Sequence, residues 1–279
     1  MTYRSLMVHL WLGQTNADLL AVTAGLAERF GAHVTGIAVS RPILAAYNND
    51  GYVSADVIEQ DRQTIETDVK AAEMELLRLL GGRAKSLALR SATSYDPLAD
   101  YVASEARAAD LIITGTNPAL SGLDGQRHAE AGAIAMRAGR PVLIVPAAVK
   151  ALALDRVVVG WKETRETRRA VMDAVPILKA AKQVSVVEVC AGDALEAAGR
   201  RLEDVARWLA FHEVQAEPHI VSIKKGGDEA TRLAAIAQDK GADLIVGGAY
   251  GHSRLQEWIL GGVTQDLLLG TERCALVSH

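Results

Sequence analysis

Three glycines near the end of the chain have a spacing that could hold a phosphate-bearing ligand. Two residues separate Gly248 from Gly251, and nine residues separate Gly251 from Gly261. Glycine lets a backbone approach a bulky group and adopt positive φ angles. The N–H groups and dipole of a helix N-terminus favour phosphate. Glycines at such a spacing could equally serve only tight turns, so their role depends on the elements around them.

The segments around these glycines predict a strand, a loop and a helix. The apolar run Leu244–Val246 ends in glycines, which is typical of a short buried strand. Gly261 and Gly262 open an apolar-periodic segment that begins with Val263, which is typical of the start of a helix. The glycine-bearing loop therefore joins the end of a strand to the N-terminus of a helix.

The glycine spacing resembles the ATP-binding signature of the universal stress protein family. The matching positions are Gly248, Gly251 and Gly261. In that family Ser or Thr follows the last glycine, whereas Gly262 follows it here and the nearest hydroxyl belongs to Thr264. The resemblance implies an adenine nucleotide as ligand: ATP, with AMP or ADP as alternatives and Mg²⁺ as an accompanying ion.

If the second half binds ATP as the family does, roles follow for the polar residues of the loop. His252, Ser253 and Arg254 would line the phosphate path, where Arg254 could pair with a phosphate oxygen. Backbone N–H groups at the helix start would also point at phosphate, and they belong to Gly262, Val263 and Thr264. Otherwise Arg254 is a solvated surface charge, and the other two residues belong to a polar loop.

Two residues after the first strand of this half are further candidates. The segment reads Gly160-Trp161-Lys162-Glu163. In the family an acidic residue usually follows this strand and faces the nucleotide, and Lys162 stands at that position here. Lys162 could reach a phosphate, favour a different ligand or simply be exposed. Trp161 could stack on a base or belong to the core.

Strand-like and helix-like segments alternate along the whole chain. Short apolar runs predict ten strands, namely Leu6–Leu12, His33–Val39, Ala84–Leu89, Asp110–Thr114, Pro141–Val145, Arg156–Gly160, Val184–Val189, Pro218–Ile223, Leu244–Val246 and Ala275–Val277. Amphipathic periodicity and capping residues predict helices between them, namely Thr15–Phe30, Ser54–Leu80, Asp96–Ala108, Ala129–Ala138, Arg165–Ala181, Leu195–Phe211 and Asp228–Lys240.

The second half of this pattern repeats the first. Ala109–Ile113 matches Ala242–Val246 almost residue for residue, and Gly115 matches Gly248 at the same offset. The offset is larger near the start of each half. The first copy therefore carries extra residues, which the loop Arg41–Tyr52 and a long second helix absorb.

The repeat predicts an α/β protein with two tandem, doubly wound, parallel five-stranded sheets, in domains of residues 1–147 and 154–279. Strands separated by helices favour parallel pairing because a parallel connection needs a crossover. Ligands in such sheets bind beyond the C-terminal ends of the strands, where the connections change direction. The Gly248 loop lies in such a place.

The whole chain resembles a tandem universal stress protein. This resemblance implies a Rossmann-like fold of the adenine nucleotide alpha hydrolase type. It also implies that the two domains form an intramolecular pair in place of the family's dimer, with a further homodimer left open.

The glycine pattern is incomplete in the first half. Gly115 is present, but Pro118 stands where the second glycine belongs, and His128 replaces the third. Proline has a fixed φ angle and no N–H group to offer a ligand. We therefore expect that the first half does not bind ATP in the manner of the family.

Composition limits the class of protein and its partners. A net charge of -4 without a basic face argues against nucleic-acid binding. The sequence contains no run of about 18 apolar residues and no leader pattern, which argues against a membrane partner and predicts a cytoplasmic location. Cys190 and Cys274 do not form a disulfide framework, and we expect both to be buried and free.

Other chemistry has little support in the sequence. There is no Walker A motif and no G-x-G-x-x-G. Gly251–Leu255 begins like a nucleophile elbow but ends in leucine where glycine is needed.

Since no catalytic residue can be named, the family resemblance implies a regulatory binding protein of stress adaptation. The alternatives are an interaction module of the same fold with an unknown protein partner, or an enzyme that hydrolyses ATP slowly.

Overall fold

The protein consists of two compact units, Tyr3–Ala151 and Leu152–His279. A computed structural model describes residues 2–43, 53–116, 128–224, 227–249 and 273–279. Both units are built from parallel strands joined by helices, and the predicted α/β class with parallel sheets is confirmed. Within the described residues, no helix is both long and apolar enough to cross a membrane.

The N-terminal unit contains five strands in the order β3-β2-β1-β4-β5. Their bounds are β1 Ser5–Leu10, β2 His33–Ser40, β3 Leu87–Thr93, β4 Leu111–Gly115 and β5 Val142–Val145. The described helices are α1 Ala17–Phe30, α2 Ala55–Leu80, α3 Leu98–Glu105 and α4 Ala131–Arg137. The chain moves outward in one direction from β1 to β3 and then returns to the other side with β4, so the switch point lies between β1 and β4.

The C-terminal unit has the same arrangement, with the strand order β10-β9-β6-β7-β8. Its strands are β6 Arg156–Trp161, β7 Gln183–Ala191, β8 Ala216–Ile223, β9 Leu244–Gly248 and β10 Cys274–Ser278. The described helices are α5 Arg165–Ala180, α6 Leu195–Phe211 and α7 Glu229–Asp239. The switch point of this unit therefore lies between β6 and β9.

Local signals at the helix ends explain where the helices begin and stop. The Ser54 side chain accepts a hydrogen bond from Val57 N–H at the start of α2, which confirms the predicted cap. Helix α1 ends at Gly31, whose φ of 57° is left-handed and whose N–H reaches the last carbonyls. Asn16 directly precedes α1 but does not cap it with its side chain, which binds both backbone polar groups of Trp11 instead.

The glycine inside α1 and the glycine that directly follows it should respond to substitution by alanine in opposite ways. Gly25 lies in the helix interior, where an added Cβ would meet nothing within 4 Å, so Gly25→Ala should stabilise the protein by about 1 kcal/mol. Gly31→Ala should destabilise it by about 1 kcal/mol because its left-handed φ favours glycine. Urea unfolding of the two variants beside the parent chain checks both signs. A loss of stability in Gly25→Ala would contradict this account of the helix.

The third strand is shifted toward the C-terminus relative to its predicted position, Ala84–Leu89. Pairing with β2 begins at Leu87, opposite Val34, and continues to Thr93, opposite Ser40. The preceding residues form a turn in which Gly82 has a φ of 81°. As the outermost strand of this unit β3 is largely exposed, so its second half carries polar residues that give no apolar signal.

The third helix is shorter than the predicted Asp96–Ala108. It begins after Pro97, and its last turn, Ala106–Ala108, is a 3₁₀ helix.

Both cysteines are free and buried, as expected. Burial raises the pKa of the Cys274 thiol, assisted by the charge of Asp243, to about 12. Cys274 therefore remains an uncharged core residue at neutral pH.

Candidate nucleotide site

The candidate site lies at the carboxyl ends of β6 and β9, on either side of the switch point in the C-terminal unit. Val157 pairs with Leu244 and Val159 pairs with Val246. Continuing this register places Trp161, the last residue of β6, beside Gly248, the last residue of β9. In open parallel sheets this is the position at which ligands bind.

Gly248 is fixed by close packing between a strand and a helix. A Cβ added there would collide with the backbone nitrogen of Thr167 and lie 2.6 Å from the carbonyl carbon of Glu166. Both residues belong to the first turn of α5, which Thr164 caps by accepting a hydrogen bond from Thr167 N–H at 3.2 Å. The fold itself therefore requires glycine at this position, whatever the ligand.

Trp161 is buried on the α5 side of the sheet. Its neighbour Gly160 faces α7, because a Cβ on Gly160 would lie 2.5 Å from Leu233. Successive residues of a strand point to opposite faces, so Trp161 points to the α5 face, as Gly248 does. The side chain is 9% exposed, and its indole Nε1 has no hydrogen-bond partner in the described part of the chain.

Glu166 is a buried carboxylate at the N-terminus of α5. The residue is 3% exposed, and one carboxylate oxygen accepts a hydrogen bond from Arg165 Nε. The other oxygen, Oε2, has no partner of hydrogen-bond geometry within the described ranges. Burial raises the pKa of Glu166, but hydrogen bonds from Arg165, its own amide and Thr164 outweigh this and hold it below the ordinary value. The group is therefore a carboxylate at neutral pH.

Lys162 is exposed and engaged in an ion pair. Its ammonium lies 2.9 Å from Oε2 of Glu229, in the first turn of α7. Exposed pairs of this kind contribute little to stability. The pair nevertheless neutralises the ammonium charge of Lys162, which could otherwise have attracted a phosphate group.

A groove of about 490 Å³ adjoins this region at the ends of β7 and β8. The described residues that line it are Ala191, Gly192, Asp193, Ser222, Ile223 and Lys224. In the same unit the guanidinium of Arg201, on α6, pairs with the buried carboxylate of Glu188, on β7. The volume falls in the range of small-molecule pockets.

Sequence reasoning identified only part of this region. Trp161, Lys162 and Gly248 are brought to the same edge of the sheet. The other predicted residues lie outside the described ranges, and these are Gly251, His252, Ser253, Arg254, Gly261, Gly262, Val263 and Thr264. Glu166 was not among the predicted site residues, because acidic residues are common in the first turn of helices and this one gives no further signal in the sequence. The groove was missed because it depends on the pairing of β7 with β8.

The corresponding edge of the N-terminal unit is occupied by aromatic side chains. A Cβ on Gly115, the repeat counterpart of Gly248, would lie 3.3 Å from Nε1 of Trp11. The rings of Trp11 and His128 have their centroids 4.7 Å apart. His9 is fully buried with Nδ1 3.1 Å from the Thr114 hydroxyl, and its Nε2 has no partner among the described residues.

Metal chemistry receives no support from the described residues. No group of three His, Cys, Asp or Glu side chains among them could hold a metal ion.

The comparisons with known proteins agree with the fold described above. Residues 153–274 match the model of the universal stress protein family. A universal stress protein from Archaeoglobus fulgidus DSM 4304 has a similar structure, with 14% identity, coverage of 98% of this chain and 95% of that chain, and a TM-score of 0.71. A functionally unknown protein from Pseudomonas aeruginosa PAO1 is similar at 16% identity, 99% and 92% coverage, and a TM-score of 0.60.

The fold also occurs in a different setting. The cytoplasmic domain of a prokaryotic cation chloride cotransporter is similar at 9% identity, with coverage of 99% of this chain and 95% of that chain and a TM-score of 0.51. No curated protein sequence matches the chain. Residues 153–274 thus resemble the universal stress protein family in sequence, and the whole chain has the fold of the universal stress protein from Archaeoglobus fulgidus.

Proposed function

We propose that the protein binds ATP, or another adenine nucleotide, in its C-terminal unit and acts as a cytoplasmic regulatory protein of stress adaptation. The observation that carries the proposal is the position of the glycine motif. Gly248 ends β9 at the switch point of a domain that matches the universal stress protein family. The rest of the motif, from Gly251 to Thr264, follows in the sequence.

The described residues around the switch point fit such a ligand. Nε1 of Trp161 is a buried donor and Oε2 of Glu166 is a buried acceptor, and neither atom has a hydrogen-bond partner in the described part of the chain. The neighbouring groove is large enough for part of a small molecule. In this proposal the phosphates lie along His252, Ser253 and Arg254 and at the N–H groups of Gly262, Val263 and Thr264. Mg²⁺ would accompany them there.

The proposal restricts the nucleotide to one unit. In the N-terminal unit Trp11 lies against Gly115 and pairs with His128. These side chains occupy the edge that a nucleotide would need. We therefore assign no nucleotide to residues 1–147 and one nucleotide to residues 154–279. We also propose that the two domains form an intramolecular pair.

A second candidate is an interaction module that binds a protein partner without a nucleotide. The ion pair between Lys162 and Glu229 favours it, because the pair engages the ammonium group that could otherwise have bound a phosphate. Slow ATP hydrolysis is the third possibility, and phosphate release that falls more than tenfold in Arg254→Ala or His252→Ala would favour it.

Calorimetric titration of ATP and AMP into the intact protein tests the proposal. We expect binding of about one equivalent, lost in Gly251→Pro, which copies the proline found at position 118 of the first half. The matched control is Pro118→Gly, which should leave the stoichiometry unchanged. Binding of two equivalents, or retention of binding by Gly251→Pro, would contradict the assignment to the C-terminal unit. Absence of binding to the intact protein would favour the interaction module.

A further inference from the structure

The surface of the C-terminal unit carries an apolar patch where the C-terminal half of α5 meets the end of α6. Met172 of α5 is 40% exposed, and Phe211, the last residue of α6, is 77% exposed. Both border a small cavity, and the described residues that line it are Met172, Val175, Lys179, Phe211, His212 and Glu213. We call this surface the α5–α6 patch. Exposed apolar side chains that cluster around a concavity are typical of an interaction surface, whereas single ones are ordinary.

The fold does not require an apolar residue at position 211. Leu209 of α6 and Leu80 of α2 are both fully buried, and each lies seven residues before the strand that follows it, β8 or β3. Two residues after these leucines, the N-terminal unit has Gly82 and the C-terminal unit has Phe211. The same arrangement of helix and strand is therefore completed in one copy without a side chain at this point. Phe211 needs a reason other than the folding of its own unit.

The patch is separate from the candidate nucleotide site. Glu166 lies in the first turn of α5, at the carboxyl edge of the sheet. Met172 and Lys179 follow it by about 9 and 20 Å along the helix axis, at about 1.5 Å per residue. An occupant of the patch therefore leaves the end of β9 accessible. The size of the cavity and the charges at its rim indicate what this occupant is.

The cavity has the size of one aromatic ring. Its volume is about 170 Å³, and an apolar cavity of about 150 Å³ holds a benzene molecule. Met172 lines it, and thioether sulfurs pack favourably on aromatic rings. The chain itself carries an exposed ring at the edge of the cavity, on Phe211. In a two-fold arrangement each copy offers the same surface, so the Phe211 ring of each copy enters the cavity of the other.

The charges at the rim favour the same occupant. The ammonium of Lys179 pairs with the carboxylate of Glu213, whose side chain is 79% exposed. A partner surface of a single sign would be attracted by one of these groups and repelled by the other. A second copy related by a two-fold axis brings Lys179 opposite Glu213 twice, so both contacts are favourable. The patch is thus complementary to itself in size and in charge.

We propose that the α5–α6 patch binds a second copy of this chain and forms a two-fold dimer. The two helices are 16 and 17 residues long, which gives a face of about 25 by 20 Å, or about 500 Å² per chain. Standard interfaces bury about 800 Å² per partner, so this dimer is weak and forms at micromolar concentrations. The inference goes beyond the proposed function because it needs no nucleotide.

Sedimentation equilibrium of the full chain between about 1 and 300 µM, without nucleotide, tests the dimer. We expect a single monomer–dimer equilibrium with a Kd of about 10–100 µM. Phe211→Ser removes the ring that fills the opposite cavity and should raise the Kd at least about tenfold. The matched control is Leu77→Ser, which removes an apolar side chain that is 54% exposed on α2 and should leave the Kd unchanged. Circular dichroism checks that both variants are folded.

Charge reversal locates the contact independently of Phe211. Lys179→Glu alone and Glu213→Lys alone each bring like charges together across the axis, so each should raise the Kd about tenfold. An equimolar mixture of the two variants should recover the parent's Kd, because opposite charges then meet at both contacts. The control is Arg83→Glu, which reverses an exposed charge paired with Glu28 in the N-terminal unit and should dimerise like the parent.

Two results would overturn the proposal. A chain that stays monomeric at about 300 µM would exclude a second copy as the occupant and leave a different protein as the partner of the patch. A dimer that is insensitive to Phe211→Ser and to both charge reversals would use another surface. Neither result bears on nucleotide binding, because the samples contain no nucleotide.

Discussion

Gly248→Ala should destabilise the C-terminal unit by about 3 kcal/mol, near the upper end for an overpacked site. The added methyl would collide with backbone atoms of Thr167 and Glu166, which cannot move aside by a change of rotamer. The strand end and the first turn of α5 would have to separate. Urea unfolding, with hydrogen exchange of peptides from β6 and β9 as the readout for this unit, measures the loss.

Gly199→Ala is the matched control for this substitution. Gly199 lies inside α6, where an added Cβ would make an ordinary contact 3.5 Å from Ile220. That variant should gain about 1 kcal/mol from the higher helix propensity of alanine. If Gly248→Ala were as stable as the parent and lost only nucleotide binding, the packing explanation would be wrong and the ligand would be the reason for the glycine.

Acidification from pH 7.5 to pH 5.0 should destabilise the N-terminal unit by about 2 kcal/mol through His9. Burial, assisted by the charge of His128, lowers the pKa of His9 from 6.5 to about 3. Above pH 6.5 both the folded and the unfolded states hold a neutral His9. Between 6.5 and 3 only the unfolded state takes up the proton, so stability falls as the pH falls.

Urea unfolding at the two pH values, followed by hydrogen exchange of peptides from β1 and β4, checks this expectation. His9→Gln cannot take up a proton, so most of the pH dependence should disappear even if the variant is less stable at both pH values. The control is His33→Gln, which removes an exposed histidine bonded to Ser86 and should keep the full effect. An unchanged pH dependence in His9→Gln would assign the acid sensitivity to other groups.

The internal repeat shows which features of the fold can be predicted from the sequence pattern alone. Matching segments around Ala109 and Ala242 predicted two copies of one α/β unit, and apolar runs located nearly every strand. These predictions succeed because burial on both faces of a parallel sheet demands continuous apolar residues. The third strand was misplaced for the same reason. As an outermost, largely exposed strand it needs no such run.

The sequence by itself determined the fold class, the order of elements and the edge of the sheet at which the candidate site lies, because these depend on periodicity and on the chirality of crossovers. Only the tertiary structure decided what the individual residues there do. Gly248 meets the backbone of α5, Lys162 pairs with Glu229, and Trp161 and Glu166 are buried. Those contacts join residues from different elements, and their distances follow from strand register and helix packing rather than from spacing along the chain.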